Sequence, residues 1–482
     1  MIERLKELER LARKLEPDPA LRSHWIESCN NYLNEFVDSM DERPAYRKGT
    51  VTELRSLTIT DDPKPIESLI ALFQNEINHF GLNPASGGHL GYIPGGGIYA
   101  SSLGDLMAAV SNRYAGIYFS NPGAVVMENQ LIRWMCEVMG YPASAHGNIT
   151  SGGSIANLTA IVSARDKFNL TRHNLHLAVI YTTEQIHHCV HKAIRIAGLN
   201  EAVSRIIPMD DQYRMDADKL RSQVLNDLRE GLMPFIIIAS AGTTDTGTID
   251  PLDKIADICE ENKIWFHIDG AYGGFFNLID VCKPLLKGIE RSDSLAIDPH
   301  KGLFLPYGIG ALLFKDPQAV MKSHHYRANY MKDAFDVNAD EYNPCDLSPE
   351  LTKHFRGPRM WMPLHLHGLA PFKAALEEKL LLTEYFYNQI KLLGFETGPK
   401  PMLSVTIFRY VPNTGDENAF NNKLVDAIQT DGRVFFSSTI IEGKVWIRCA
   451  ILGFRTHMDT IEKAFTMLKE ILDKMQPTHS SR

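Results

Sequence analysis

The sequence lacks the features that mark several large classes of protein. Its 482 residues contain no apolar run of the roughly 18 residues that a membrane-spanning helix needs, and the N-terminal stretch MIERLKELERLARKLEPD has no signal-peptide core. The seven cysteines are scattered, odd in number and without a CxxC pair, which argues against a disulfide framework or a zinc cage. The net charge of −8 offers no basic surface to nucleic acid. We therefore expect a cytoplasmic protein with no nucleic-acid or membrane partner.

Several short motifs are also missing. The chain has no GxxxxGK[ST] phosphate loop and no GxGxxG turn followed by a ribose-binding acid. His187 and His191 are four residues apart, as in a helical zinc pair, but position 188 is histidine where the HExxH motif requires glutamate. We therefore expect no metal site, and a histidine stacked on a flat cofactor ring is the preferred alternative.

Apolar runs alternate with helical patterns beyond about residue 126. Because these runs are apolar on both faces and separated by helices, they are typical of central strands in a mostly parallel sheet. They are HLAVIYTT, SRIIPM, PFIIIASAG, IWFHID, SLAID and GIGALLF. The predicted fold class is α/β, with a mostly parallel central sheet flanked by helices.

The chain divides into three predicted units. Residues 1–84 form a helical segment, in which Leu5, Leu8, Leu11 and Leu15 make an apolar stripe that must be covered. Residues 85–358 form the large α/β domain, with a polar, irregular loop at about 325–355 that we expect to be mobile and catalytic. Residues 359–482 form a connecting helix and a small α+β domain.

Lys301 lies in SLAIDPHKGLFLPYGIGALLF, a nearly continuous apolar run. A lone lysine at a strand end most often extends its amine into water. The alternative is a buried amine whose pKa is lowered by desolvation, so that it forms a Schiff base with a carbonyl. The neighbouring motifs decide between these two interpretations.

Two neighbouring motifs suit a phosphorylated, cationic ring. Asp269 ends the buried run IWFHID before Gly270, where ligands of α/β sheets bind, although a helix N-cap is an equally ordinary role. The stretch NITSGGSIANLTA places Gly153 and Ser154 at the start of a helix, where N–H groups bind anions, although a simple serine cap is also possible. With a lysine for an imine and an aromatic histidine, these motifs together describe a pyridoxal phosphate site.

The motifs TSGGS, EQIHH, AGTTDTGTIDPLDKI, HIDGAYGG and DPHK, in that order, closely resemble those of the group II pyridoxal-phosphate-dependent decarboxylases, which act on aromatic amino acids, histidine and glutamate. The resemblance runs from about residue 80 to the C-terminus and implies a transferase fold of type I. It also implies a homodimer with interfacial active sites and an amino-acid substrate. The implied reaction is decarboxylation of an aromatic or related L-amino acid to the amine.

The resemblance also implies roles for individual residues. Lys301 is the Schiff-base lysine, and Asp269 keeps the pyridine nitrogen protonated so that the ring accepts electrons from the substrate carbanion. The cofactor contacts implied for the others are Ala271 and His187 on the two ring faces, Gly153, Ser154 and His300 at the phosphate, and Thr244 near the ring. Tyr92 lines the substrate mouth, and Tyr342 is the candidate proton donor of the loop, with Tyr326 and Tyr330 as alternatives.

The chain departs from the family pattern at several positions that concern the substrate. Gly95, Gly96 and Gly97 follow the tyrosine–proline segment where aromatic-type members carry threonine, and Asp298 stands where many members have asparagine. An aspartate near a phosphate is repelled unless it is turned away, hydrogen-bonded or protonated. These departures leave the identity of the substrate open. A carbon–carbon lyase or an aldehyde synthase, which use the same core, is the alternative function, and a catalytically silent structural subunit is a third.

Overall fold

The computed structural model describes residues 1–50, 57–325 and 341–475. The N-terminal region begins with helices α1 (Ile2–Ala12), α2 (Pro19–Asp38) and α3 (Ile66–Leu72), and with a two-stranded antiparallel sheet, β1 (Tyr46–Arg47) and β2 (Gly81–Leu82). Helix α2 begins where the sequence places a cap, because Asp18 accepts a hydrogen bond from Leu21 N at 2.8 Å and Pro19 follows it. Among the described residues, no helix combines the length and the apolar character needed to cross a bilayer.

A seven-stranded sheet forms the centre of the molecule. Its strands, β3 (His146–Thr150), β4 (Ala178–Thr182), β5 (Val203–Ile206), β6 (Met233–Ser240), β7 (Trp265–Asp269), β8 (Ser294–Ile297) and β9 (Gly310–Phe314), lie in the order 3-9-8-7-6-4-5. Strand β9 runs antiparallel to both neighbours, and the pairs from β8 across to β5 are parallel. The predicted mostly parallel sheet is thereby confirmed, and six of its seven strands coincide with the apolar runs.

Helices cover both faces of this sheet. The helices of this part of the chain are α4 (Tyr99–Ser111), α5 (Pro122–Val138), α6 (Gly153–Lys167), α7 (His188–Ile196), α8 (Ala217–Arg229), α9 (Leu252–Asn262), α10 (Pro299–Gly302), α11 (Pro317–His324) and α12 (Gly357–His367). Along β8, Leu295 and Ile297 enter one core, with α5, α8 and α9, whereas Ala296 enters the core on the opposite face, beside α6. Because both faces are buried, the strands are apolar throughout.

The C-terminal part has a core of its own. After the long helix α13 (Ala370–Leu392), the strands β10 (Glu396–Thr397), β11 (Val405–Arg409), β12 (Ser437–Ile441) and β13 (Lys444–Ala450) form an antiparallel sheet in the order 10-11-13-12. Helices α14 (Glu417–Asp431) and α15 (Met458–Met475) complete it. Leu90, from the glycine-rich segment, is fully buried in this core, so that segment links the two parts of the molecule.

Candidate active site

A cavity of about 330 Å³ opens at the carboxyl ends of three neighbouring strands. Ser240 ends β6, Asp269 ends β7 and Asp298 follows β8, and all three side chains line the cavity. The strands are in register there, with Ser240 opposite Asp269 and Asp269 opposite Ala296. This is the position at which open α/β sheets bind ligands, and the volume suits a small organic cofactor.

Lys301 lies in the short helix α10 directly after β8. Its Nζ is 2.9 Å from Asp298 Oδ2, three residues earlier on the same turn, and its backbone N–H donates to the Asp298 carbonyl at 2.9 Å. Burial by itself lowers the pKa of Lys301, but the adjacent Asp298 carboxylate outweighs it, and the net pKa is raised above its ordinary value. The predicted lowering of the lysine pKa is therefore wrong for this structure, because the sequence pattern gave no sign of the ion pair.

Two glycines, Gly153 and Gly310, pack closely against the Asp298 carboxylate. A Cβ on Gly310 would lie 2.6 Å from Asp298 Oδ1, and a Cβ on Gly153 would lie 3.0 Å from Oδ2 and 3.2 Å from the Cβ of Ala271. The absence of side chains at these two positions lets the start of α6 and the start of β9 approach the lysine turn closely.

Asp269 is a buried carboxylate on the floor of the cavity. Its Oδ1 accepts a hydrogen bond from Ala271 N at 3.1 Å. Burial raises its pKa, whereas the Lys301 ammonium acts in the opposite direction. A cationic partner in the cavity would stabilise the ionised form of Asp269.

His187 precedes helix α7 and caps it. Its Nδ1 accepts a hydrogen bond from Cys189 N at 3.3 Å, which places the ring proton on Nε2 in the neutral form. Burial lowers the pKa of His187 to about 4, so the ring is uncharged at neutral pH. Ligating atoms of His187, Cys189 and Asp269 lie within 4.8 Å of one another, because the walls of the cavity converge there.

The N-terminus of α6 forms another wall. Gly153 is its first residue, Ser154 lies in its first turn, and both line the cavity. The first N–H groups of a helix have no acceptor within the helix, so they favour an anion. His300, across the cavity, donates its Nδ1–H to the Ile309 carbonyl at 2.5 Å, which leaves its Nε2 for another contact.

Thr244 and Ala271 also line the cavity. The Thr244 carbonyl accepts a hydrogen bond from Arg448, a residue of the C-terminal sheet that is 2% exposed. Arg448 also donates to the Asp245 carbonyl at 3.0 Å and to Ser437 Oγ at 2.9 Å. Sequence reasoning missed this residue, although a charged residue inside the apolar strand VWIRCAIL was the available signal.

Tyr92 is not among the residues that line the cavity. It is about half exposed, its φ of 55° is left-handed, and its backbone N–H donates to Ser437 Oγ at 3.4 Å. Three residues later, Gly95 packs against the His300 carbonyl, so the segment GYIPGGG borders the lysine turn. Three further residues line the cavity that the sequence analysis did not single out: Asn157, Gln185 and Tyr307. They are residues of ordinary type with no distinctive spacing.

Tyr342 does not line the cavity of its own chain, and its role as the proton donor of an interfacial site stays a prediction. Its ring packs against His146 with the centroids 4.8 Å apart, and its carbonyl accepts a hydrogen bond from Asn129 Nδ2 at 3.0 Å. His146 is the first residue of β3, and Thr150 is the last, beside the cavity. The two residues are about 13 Å apart along the strand, so Tyr342 packs at the end of β3 that is far from the cavity. The alternatives, Tyr326 and Tyr330, are outside the described residues.

The side chains present fit pyridoxal phosphate. The cavity combines an amine, a buried carboxylate, a neutral imidazole and a helix N-terminus, which suit an aldehyde, a ring N–H, a ring face and a phosphate respectively. Within the described residues, the buried Asp298 Oδ1 and Gln185 Oε1 have no hydrogen-bond partner.

Comparisons with known proteins also indicate an enzyme that uses pyridoxal phosphate. Residues 49–411 match the pyridoxal-dependent decarboxylase conserved domain. An aromatic-L-amino-acid decarboxylase of Bacillus atrophaeus is 32% identical over 392 residues, which are 80% of this chain and 81% of the relative. A phenylacetaldehyde synthase of Arabidopsis thaliana is 24% identical over 91% of this chain and 93% of its own length.

The fold matches solved structures over nearly its full length. The crystal structure of Oryza sativa TDC with PLP and tryptamine aligns with a TM-score of 0.88 and 22% identity, covering 95% of this chain and 99% of that one. The family match spans most of the chain and includes the lysine turn and the cavity walls described above. The chain therefore belongs to the pyridoxal-dependent decarboxylase family and is an amino-acid decarboxylase that uses pyridoxal phosphate.

Proposed function

We propose that this enzyme decarboxylates an aromatic or closely related L-amino acid and releases the amine. The observation that carries this proposal is the convergence of Lys301, Asp269 and the N-terminus of α6 on one cavity. The substrate class is supported by the name of the relative that is 32% identical. A screen of the proteinogenic amino acids, with ring-hydroxylated and diamino acids added, tests it by carbon dioxide release. Release confined to aliphatic or acidic substrates would contradict the aromatic assignment.

The proposed roles follow from where each side chain lies. Lys301 holds the cofactor through its aldehyde, and Asp269 holds a proton on the ring nitrogen. Ala271 and His187 lie against the two ring faces; a neutral His187 adds no charge that would compete with the ring for Asp269. When bound, the cofactor accepts into its ring the electron pair left by the departing carboxylate.

The remaining cavity residues are proposed to bind the phosphate and the substrate. Gly153 and Ser154 offer helix N-terminal N–H groups to the phosphate, and His300 lies beside it on the facing side of the cavity. Thr244 is held against the cavity by the buried guanidinium of Arg448, through its carbonyl. Tyr92 remains a proposed residue of the substrate mouth, reached through the segment that borders the lysine turn.

The role of Lys301 is tested directly by spectroscopy. The Lys301→Ala variant should lose the visible absorbance of the lysine-bound cofactor. It should stay folded at a lower stability, because the buried Asp298 carboxylate loses its ion-pair partner. Circular dichroism of the variant checks that the fold is kept. Absorbance that persists unchanged would show that another residue holds the cofactor.

An aldehyde synthase is the second candidate function. Relatives of that kind are matched over almost their whole length, and Tyr342, which favoured decarboxylation in the sequence, lies away from the cavity. The two reactions have different products. Equimolar carbon dioxide and amine would support decarboxylation, whereas hydrogen peroxide and an aldehyde would support the synthase.

We also propose that the enzyme is a cytoplasmic homodimer with interfacial active sites, organised in the three units 1–84, 85–358 and 359–482. The stripe formed by Leu5, Leu8, Leu11 and Leu15 remains 46–87% exposed in the single chain, and a second copy is the proposed cover. The seven cysteines are free thiols, which suits a reducing compartment. Light scattering that gives the mass of one chain would contradict the dimer.

A further inference from the structure

Asp298 is a buried carboxylate in the cavity that the roles above leave without a function. Its Oδ2 lies 2.9 Å from Lys301 Nζ and 3.6 Å from His300 Nε2. Its side chain is 2% exposed, and within the described residues its Oδ1 has no hydrogen-bond partner. Removing a carboxylate from water costs several kcal/mol unless a cation offsets that cost. Lys301 is placed to be that cation.

Packing holds this carboxylate beside the amine. Asp298 follows the buried strand β8, and its carbonyl accepts the N–H groups of Lys301 and Gly302 at 2.9 and 3.2 Å, so the two side chains share one backbone turn. On the other side, Gly310 and Gly153 lie so close to the two carboxylate oxygens that a Cβ at either position would crowd them. The pair is therefore fixed by the fold.

With the cofactor bound, the other described titratable groups that face Lys301 do not supply a second free anion. Asp269, from β7, is assigned to the ring nitrogen. From α7, Cys189 is a thiol whose pKa burial raises to about 12, and His187 is neutral because burial lowers its pKa to about 4. Tyr307, after α10, is a phenol whose pKa burial raises. His300, on α10 itself, donates its Nδ1–H to a carbonyl and carries no negative charge.

We propose that Asp298 is the counter-ion of the Lys301 nitrogen, both in the free lysine and when that nitrogen is bonded to the cofactor. This inference rests on the proposed role of Lys301. A carboxylate in contact with the nitrogen stabilises its protonated form, so the proton on the nitrogen leaves at a higher pH than it otherwise would. Asp298 is thus a positioning residue that sets the charge of the reacting nitrogen.

The test is the pH dependence of the visible absorbance of the enzyme loaded with pyridoxal phosphate. The Asp298→Asn variant keeps the size of the side chain and removes its charge, so the pH at the midpoint of the absorbance change should fall by about one unit or more. The matched control is Asp293→Asn, five residues earlier. The Asp293 carboxylate accepts a hydrogen bond from Phe266 N at 2.8 Å and does not line the cavity. The control should keep the wild-type midpoint. A midpoint in Asp298→Asn that is unchanged or higher overturns the proposal.

A second measurement applies if Asp298→Asn retains too little cofactor. Competitive acetylation of the full-length, cofactor-depleted proteins at neutral pH, with peptide mass mapping, reports the fraction of Lys301 present as free amine. Removing the carboxylate should raise the labelling of Lys301 about tenfold, since one pKa unit is a factor of ten. Equal labelling in both proteins overturns the proposal. Absorbance that survives Lys301→Ala would instead refute the role of the lysine itself.

Discussion

Replacing Lys353 by methionine should destabilise the fold by about 3–5 kcal/mol, the cost of leaving a buried charge without its partner. Lys353 Nζ lies 2.7 Å from Glu128 Oε1, and the two side chains are 1% and 3% exposed. Methionine has a similar length, so the space stays filled. The Glu128 carboxylate would keep the hydrogen bond from Ile149 N at 3.3 Å but would lose its only described ion-pair partner.

Denaturant unfolding, followed by circular dichroism, measures this effect. The double variant Glu128→Leu with Lys353→Met should regain most of the lost stability, because it removes both charges together. Lys400→Met is the control: its ion pair with Glu384 has a similar length, 2.9 Å, but the side chains are 70% and 51% exposed. The control should change stability by less than about 1 kcal/mol. A loss in Lys353→Met no larger than in the control would refute the reasoning.

Two further predictions concern the proton donor and the acid stability. Tyr342 is the predicted proton donor of an interfacial site, so Tyr342→Phe should lower the rate of carbon dioxide release by about 10²–10⁴-fold. A rate in Tyr342→Phe within about tenfold of the wild type would contradict this and leave Tyr326 or Tyr330 as the donor. Burial lowers the pKa of His267 to about 4, so the unfolded chain binds a proton more readily, and stability should fall as the pH decreases from 6.5 towards 4. Urea unfolding at several pH values should show a shallower fall in His267→Gln, and equal slopes would contradict this.

The central fold was predictable because its physical cause is local in the sequence. Strands covered by helices on both faces must be apolar on both faces, so runs such as PFIIIASAG and IWFHID mark β6 and β7 directly. Strand β3 (His146–Thr150) was missed because its residues, HGNIT, are mostly polar. They are buried all the same, and Asn148 is paired by a tertiary contact, its Nδ2 donating to the Leu347 carbonyl at 3.0 Å.

The site was predictable only in part. Lys301, Asp269, His187 and the start of α6 stand where a strand ends or a helix begins, and the carboxyl edge of a parallel sheet brings such positions together. Thr244 was named only through the resemblance to the family. The placement of Tyr342 beside β3 was not predictable, because no periodic pattern fixes a long irregular segment. Arg448 was missed because its partners are carbonyls that are distant in sequence.

The sequence by itself determined the α/β architecture through its hydrophobic periodicity and the cofactor through its short motifs and the family they resemble, and it named Lys301 as the proposed Schiff-base residue. The tertiary structure alone decided the charge state around that lysine and the position of the loop tyrosine. Electrostatic interactions depend on distance and burial rather than on sequence order, so the raised pKa of Lys301 beside Asp298 became visible only when the fold was known.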